Sequence, residues 1–232
     1  SALTGNILSI SGTDDGGEDS HVISFIYDIV CHGNEISYVT FNGETSNEFR
    51  YDANGNMTYD PLTGVGIEYN QLGLPRRIFD GDAEITYIYR ASGEKHATKV
   101  GGSLTYYRSV MVYSGAEGSP DEQLQYMLQP EGLVANDGGA MQYRYFKTDH
   151  LGNTRVVLSA LNDGLGGSVL EPVQYTDYYP YGLAWGDVNN LDKNRYLYDG
   201  KELQAAEIGR FGLLGLYDFG SRYANPVIGR WF

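Results

Sequence analysis

The sequence predicts an all-β protein built from antiparallel hairpins, and three observations lead to this prediction. Glycine makes up 31 of the 232 residues, well above the ~7% of an average protein, and it supplies the positive-φ positions of tight turns. Tyrosine occurs 21 times against 8 phenylalanines, and tyrosine favours half-buried pleated surfaces. No stretch repeats apolar residues at helical spacing for more than about two turns. We therefore expect many short strands joined by many tight turns.

A turn frame recurs in the first half of the chain. In 49–57, 67–75 and 87–95 a tyrosine stands four residues before a glycine. The aspartate of the first copy is expected to cap the turn, and the glycine to close a hairpin. Stacked hairpins form a sheet that grows one repeat at a time and coils through its own twist. The turn residues are Tyr51, Asp52, Gly55, Tyr69, Gly73, Tyr89 and Gly93.

Other elements follow from runs of strand-forming residues between glycine-rich loops. Strands are expected at 21–29, 35–41, 103–113, 123–128, 141–146 and 154–158. Loops are expected at 12–19, 136–139 and 162–167, and a short helix at 203–209. A soft boundary divides plain repeats in 1–140 from a motif-rich region in 141–232, with one continuous architecture. Two exposed edges are expected to promote self-association, the uncharged run 21–27 and the closing hairpin at 215–223.

Charge and composition narrow the function classes. The net charge is −14, which disfavours binding to nucleic acid and to anionic membrane surfaces. No apolar run approaches the ~18 residues that a membrane span needs. Cys31 is the only cysteine, so an intrachain disulfide is excluded.

Five motifs in the last third of the chain carry a resemblance to a known family. They occupy 148–155, 178–182, 198–202, 215–223 and 225–232. This region resembles the RHS-repeat-associated core domain, and the upstream turn frame resembles the YD repeats that precede that core. The core-motif residues are Asp149, His150, Gly152, Arg155, Tyr179, Pro180, Tyr181, Gly182, Gly200, Lys201, Glu202, Gly215, Leu216, Tyr217, Asp218, Arg222, Tyr223, Pro226, Gly229 and Arg230.

The resemblance implies a structural role. Members build a hollow β-shell from a spiralling strip of hairpins, and in bacterial members the core closes the shell around a variable C-terminal segment, usually a toxin. It implies a secreted or surface-associated bacterial protein with upstream YD repeats and a toxin-like C-terminal segment as partners. That segment is expected to lie outside this chain, which ends at Phe232.

The chain departs from the usual family pattern in two places. Asn225-Pro226 stands where members usually have Asp-Pro, and the spacer at 203–214 is longer than in many members.

The resemblance also places Arg222 at an arginine associated with aspartyl self-cleavage. We expect no enzyme activity here, because the partner aspartate would lie beyond residue 232. The alternative is that Arg222 is a structural residue, paired with Asp218. An autoprotease half-site, inactive in this chain, therefore remains a minor alternative.

Other candidate sites have simpler structural interpretations. Asp149 and His150 are adjacent, so they are expected to point apart, with Asp149 capping a turn. The acidic loop at 14–19 could bind calcium but is more typical of a solvated loop, and the four histidines lack zinc spacing. Neither a metal nor a cofactor is predicted. The tyrosines leave a surface module that binds glycan or protein as a second hypothesis, since aromatic rings stack on sugars.

Overall fold

A computed structural model describes residues 9–13, 20–27, 35–41, 43–162, 168–186, 190–210 and 212–231. In these residues nearly all regular structure is antiparallel β-sheet, and no α-helix occurs. The predicted all-β class is therefore confirmed. The acidic loop at 14–19 and Cys31 lie outside the described residues.

Three sheets form the described structure. The first contains β1 (Ser9–Thr13), β2 (Ser20–Tyr27), β3 (Ile36–Phe41) and β4 (Glu44–Thr45). The second has 14 strands: β5 (Arg50–Tyr51), β6 (Met57–Asp60), β7 (Val65–Tyr69), β8 (Pro75–Asp80), β9 (Ala83–Tyr89), β10 (Lys95–Val100), β11 (Ser103–Arg108), β12 (Met111–Ala116), β13 (Glu122–Gln129), β14 (Gly132–Asp137), β15 (Ala140–Thr148), β16 (Thr154–Asn162), β17 (Ser168–Tyr178) and β18 (Ala184–Gly186). The third contains β19 (Glu202–Gln204), β20 (Leu216–Asp218), β21 (Tyr223–Asn225) and β22 (Arg230–Trp231).

Each strand of the large sheet pairs with its neighbours in sequence, from β5 to β18. Its end strands do not pair with each other, so within the described residues the sheet is open. It crosses residue 140 without a break, since β14 pairs with β15. The domain boundary expected there remains a prediction about sequence motifs.

The repeat glycines close hairpins, as the turn frame predicts. Gly55, Gly73 and Gly93 have φ of +81°, +72° and +85°. The amide of each glycine donates to the carbonyl three residues earlier at 2.9–3.0 Å. A left-handed backbone at this position is strained for any residue with a Cβ, which is why glycine recurs.

The repeat tyrosines join each hairpin to the one before it. The Tyr69 hydroxyl donates to the carbonyl of Met57 at 2.7 Å, and the Tyr89 hydroxyl to that of Pro75 at 2.8 Å. Each acceptor lies two residues after the turn glycine of the preceding repeat. The Tyr51 hydroxyl likewise donates to the carbonyl of Ile36 at 3.1 Å. The tyrosine content thus reflects contacts between repeats.

Several predicted elements are wrong in detail. The single strand expected at 103–113 is a hairpin of β11 and β12, because Ser109 takes a positive φ of 57° in a turn that has no glycine to signal it. The helix expected at 203–209 is absent, since β19 pairs with β20 and its apolar side chains are buried in sheet contacts. Strands β14 and β17 were not predicted.

The expected exposed edges are also wrong. Strand β2 lies between β1 and β3, so its backbone is paired on both sides. Strand β20 is likewise paired with β19 and β21. Self-association through these two strands is therefore not expected.

The last part of the chain turns back onto the large sheet. We call residues 190–231 the closing segment. Its buried Ile208, Leu214, Leu216 and Tyr223 pack in one core with side chains from β7, β8 and β9. Because this contact spans more than a hundred residues of sequence, the closing segment and the large sheet share a core.

Candidate functional site

A buried charge cluster joins the closing segment to the large sheet. The Lys95 ammonium on β10 contacts Asp218 Oδ2 at 2.6 Å and Glu202 Oε2 at 2.9 Å. The three side chains are only 12%, 9% and 9% exposed. The Tyr107 hydroxyl donates to Glu202 Oε1 at 3.0 Å. We call these four residues the Lys95 cluster.

Strand register explains how the two carboxylates meet. Glu202 on β19 lies directly opposite Asp218 on β20, so the side chains share one face. Like charges at such a position repel each other, which is destabilising. Lys95 provides the opposite charge from the large sheet, and the Tyr223 hydroxyl donates to Asp218 Oδ2 at 3.3 Å. Lys95 of the large sheet thus neutralises the two carboxylates of the closing segment, and these carboxylates stabilise the buried lysine.

The cluster changes the acidity of its members. Burial works to lower the pKa of Lys95, but the negative charges of Glu202 and Asp218, together with Tyr107, hold that pKa well above its ordinary value. Burial, followed by the charge of Glu202, raises the pKa of Tyr107 well above its usual range. The lysine is therefore protonated and the tyrosine neutral around pH 7.

A second buried polar contact explains one departure from the family pattern. Asp60, at the end of β6, accepts hydrogen bonds from the Leu62 amide at 2.9 Å and from Asn225 Nδ2 at 3.2 Å. Burial raises the pKa of Asp60 above its ordinary value. An aspartate at position 225 could not donate to this carboxylate and would add a second buried negative charge. The Asn-Pro of this chain thus matches its buried partner.

The far end of the large sheet holds the start of the closing segment. Arg144 on β15 is buried, pairs with Asp137 and donates to the carbonyl of Lys193 at 2.9 Å. The buried amide of Gln174 on β17 donates to the carbonyl of Asn194 at 3.1 Å. These residues have no local sequence signal, because their partners lie elsewhere in the chain.

The motif at 148–155 forms a turn that contacts the closing segment. Asp149 Oδ1 accepts from the amides of Leu151 and Asn153 at 2.9 and 3.0 Å, and Gly152 takes a φ of +87°. Burial works to raise the pKa of Asp149, but a hydrogen bond from the Asn153 side-chain amide, together with those from the two backbone amides, holds it below its ordinary value. His150 is exposed on this turn. The structure thus places Asp149 as a turn cap, and Arg155 pairs with Asp177 on β17.

The aromatic motif at 178–182 also contacts the closing segment. Gly182, at φ +90°, lies so close to the Tyr198 ring that an added Cβ would be 2.4 Å from it. The Tyr217 hydroxyl donates to the carbonyl of Gly182 at 3.0 Å. Gly229 meets the Tyr181 ring in the same way, at 2.9 Å. Tyr179 is exposed beside Trp185, and Pro180 begins the 3-10 turn.

The remaining core-motif residues lie within the closing segment. Gly200 and Gly215 take positive φ values of 63° and 69°. Lys201 lies over the Phe219 ring at 5.3 Å. Leu216, Tyr217, Tyr223 and Pro226 are buried. Three of the five motifs thus lie in the closing segment, and the other two, at 148–155 and 178–182, contact it from the large sheet.

Arg222 does not form the predicted pair with Asp218. Its guanidinium lies over the Trp231 ring at 4.3 Å, whereas the Asp218 carboxylate contacts Lys95. The pairing was wrong because Lys95, from a distant repeat, could not be identified as a competitor. Arg222 and Arg230 line a cavity of ≈ 570 Å³ together with Glu35, Tyr51 and Trp231.

Across the described ranges, no three His, Cys, Asp or Glu side chains are grouped so that they could hold a metal ion. In that same part of the chain, no helix has the length and apolarity to cross a membrane.

Comparison with known proteins identifies the fold. No family model matches the sequence, and no curated protein matches it. Among solved structures, the TcdB2-TccC3-Cdc42 crystal structure superposes with a TM-score of 0.59 at 18% identity. The Photorhabdus luminescens Tc holotoxin pore gives a TM-score of 0.58 at 17% identity. TcdB2-TccC3 without its hypervariable C-terminal region gives 0.53 at 17% identity.

Each of these matches covers 91% of this chain but only 12% of the other chain. At this level of identity the similarity concerns the fold alone. The chain therefore shares its fold with a small part of these Tc toxin chains.

Proposed function

We propose that this chain is the closing part of a YD-repeat shell that encloses or presents a variable C-terminal segment. The observation that carries the proposal is the position of the closing segment, which covers one face of the large sheet through buried ionic, hydrogen-bonded and apolar contacts. A segment attached in this way can seal a wall. One structural neighbour, TcdB2-TccC3, was solved without a hypervariable C-terminal region, so a variable C-terminal segment occurs in that protein.

The role proposed here is structural, without turnover of a substrate. Buried polar residues of the closing segment, such as Glu202, Asp218 and Asn225, contact partners on the large sheet and serve in attachment. The proposed setting is a secreted or surface-associated bacterial protein, with upstream repeats completing the wall. The enclosed segment is proposed to be toxin-like.

Protease protection of the full-length protein tests the proposal. The stretch that follows residue 232 should resist proteolysis in the native protein. Gly209→Val should expose it, because a Cβ at residue 209 would be 2.8 Å from the Thr63 carbonyl and would displace the closing segment. Gly212→Val is the matched control, since it also replaces a positive-φ glycine but has open space around it. A stretch cleaved equally fast in all three proteins would contradict enclosure.

One observation favours a second candidate function, glycan binding. Tyr143 and Tyr145 on β15 are 54% and 36% exposed, and their rings stack at a centroid distance of 6.4 Å with an angle of 16°. Neighbouring exposed rings of this kind can bind sugar faces. Glycan-array binding that Tyr143→Ala abolishes, with Tyr179→Ala as the control, would support this function. If no glycan on the array bound the protein, the shell role would be the one function still proposed.

A further inference from the structure

The Lys95 cluster has the geometry of a reactive site as well as that of an ion pair. The Lys95 nitrogen lies 2.6 Å from Asp218 Oδ2. A nitrogen at hydrogen-bond distance from one carboxyl oxygen is within about 3–3.5 Å of the carboxyl carbon, which is the range of a near-attack arrangement. Strands β10 and β20 hold the two groups at this distance, so the remaining step is a rotation of the carboxyl group that brings the nitrogen over its face.

Burial by itself favours uncharged groups, although the two carboxylates keep Lys95 protonated in most molecules. The three side chains are about nine-tenths buried, and the Tyr107 ring lies 4.2 Å from the lysine nitrogen. In such an environment an amine and a carboxylic acid avoid the cost of burying separate charges. The proton that Lys95 holds can move directly to Asp218, so it need not be lost to solvent. A small population of this neutral pair is sufficient for a single slow reaction.

Glu202 lies where it can carry a proton from Lys95 to Asp218. Glu202 Oε2 lies 2.9 Å from the Lys95 nitrogen, and Glu202 is opposite Asp218 in the strand register. Its carboxylate can therefore reach both the attacking nitrogen and the leaving oxygen. The Tyr107 hydroxyl, which donates to Glu202 Oε1, holds this carboxylate in place.

We propose that Lys95 and Asp218 become joined by an intramolecular isopeptide bond, with Glu202 transferring the proton. The neutral amine of Lys95 attacks the Cγ atom of the protonated Asp218 carboxyl, and the new N–C bond forms. Glu202 takes one proton from the nitrogen and delivers it to the hydroxyl on Cγ. The C–O bond breaks, one water leaves, and an amide remains. No oxidant, reductant or external reagent is needed.

The bond would attach the closing segment covalently to the large sheet. It would close a loop between residues 123 positions apart. Such a link restricts the unfolded chain, as a disulfide does, and it would persist under reducing conditions. This inference does not depend on what the shell encloses.

Mass spectrometry of the denatured, trypsin-digested protein tests the proposal. Trypsin cannot cleave after a modified Lys95, so the expected product is peptide 91–99 joined to peptide 211–222. Its mass should be the sum of the two peptides minus one water. Lys99 and Glu117 provide an internal control, because they are 2.7 Å apart but more exposed. No linked product is expected for that pair.

Two variants distinguish a covalent bond between Lys95 and Asp218 from a noncovalent contact. Asp218→Ala removes the electrophile, and Glu202→Gln keeps the shape but removes the base. Both should give separate peptides 91–95, 96–99 and 211–222. The wild-type digest is decisive even if a variant fails to fold. Wild-type protein that yields only the separate peptides, with no water lost, would overturn the proposal.

Discussion

Two hairpin turns, Asp52–Asn56 and Asp149–Asn153, have the same local structure but different surroundings. In each, the aspartate accepts from the amides two and four residues on and from the side-chain amide of the asparagine, at 2.9–3.0 Å. Of the two asparagines, Asn153 also hydrogen-bonds the closing segment, since its Oδ1 accepts from the Asp199 amide at 2.8 Å. Asn153 is accordingly 5% exposed. The same sequence pattern thus forms a turn in both places, and at Asn153 the turn also binds the closing segment.

The same contrast separates the large sheet from the closing segment. The sheet is made of hairpins between sequence neighbours, so its strands and turns depend on local residues. The closing segment has short strands of two or three residues and depends on distant partners such as Lys95 and Asp60. Substitutions that remove a distant partner should therefore affect the closing segment more than the hairpins.

The largest effect is expected for Lys95→Met. In molecules where Lys95 and Asp218 are not covalently joined, removing the cation leaves two carboxylates opposite each other in a buried site, and breaking a buried pair of this kind costs about 3–5 kcal/mol. Urea unfolding near pH 7 measures the loss. Lys99→Met, on the same strand, removes an exposed pair and should change stability by about 0–1 kcal/mol. Equal losses of unfolding free energy in the two variants would show that the Lys95 cluster contributes no more than an exposed ion pair.

Gly209→Val should have the next largest effect. Valine at a φ of +78° is strained, which costs about 1–3 kcal/mol, and its Cβ would also meet the Thr63 carbonyl. Gly212→Val has the strain without the collision, so the difference in unfolding free energy isolates the docking contact. A smaller loss for Gly209→Val than for Gly212→Val would contradict the close approach.

A comparison of Asn153→Ala with Asn56→Ala tests the two turns directly. Both variants lose the hydrogen bond to the aspartate, worth about 0.5–1.5 kcal/mol. Asn153→Ala also leaves the Asp199 amide without its acceptor, which adds about 1–3 kcal/mol. Thermal unfolding should therefore show a lower melting temperature for Asn153→Ala. Identical melting temperatures would mean that the Asp199 contact is unimportant.

The smallest expected effect is a pH-dependent one, at Asp60. Because burial raises the folded-state pKa of Asp60, the folded protein binds that proton more tightly than the unfolded chain does. The contribution of Asp60 to the free energy of unfolding is greatest below the ordinary aspartate pKa of about 3.9. This contribution is lost as pH rises through the pKa of Asp60 in the folded protein. Asp60→Asn removes this titration, so its stability relative to wild type should improve between about pH 4 and pH 7.

Urea unfolding across that pH range measures how the difference in unfolding free energy between the variant and the wild type changes with pH. A loss of stability that is the same at every pH does not affect this change. The exposed Asp80→Asn on β8 serves as the control and should run parallel to wild type. If Asp60→Asn also ran parallel to wild type, Asp60 would not be a buried titrating group.

The sequence predicts the parts of the fold that have local causes. The hairpins at Gly55, Gly73 and Gly93 follow from a tyrosine, polar turn residues and a glycine at fixed spacing. The turn at Ser109 was missed because its positive φ is held by the flanking strands β11 and β12, without a glycine. The short helix expected at 203–209 is wrong for a similar reason, since pairing with β20 determines the conformation of its first residues.

The site could be predicted only in part. The motifs containing Glu202 and Asp218 were identified, but nothing local to Lys95 indicates that it lies between them. Arg144 and Gln174 likewise resemble ordinary polar residues of strands until the closing segment covers them. Contacts across a hundred residues depend on the curvature of the whole sheet, which no short pattern encodes.

Hydrogen exchange tests the central claim, that buried contacts with distant partners hold the closing segment on the sheet. In the wild-type protein, amides in 202–218 should exchange as slowly as those of β8 to β10. In Lys95→Met, exchange in 202–218 should accelerate while the hairpin at 50–59 keeps its wild-type rate. Fast exchange in 202–218 of the wild type, or an equal acceleration in both regions of the variant, would contradict the claim.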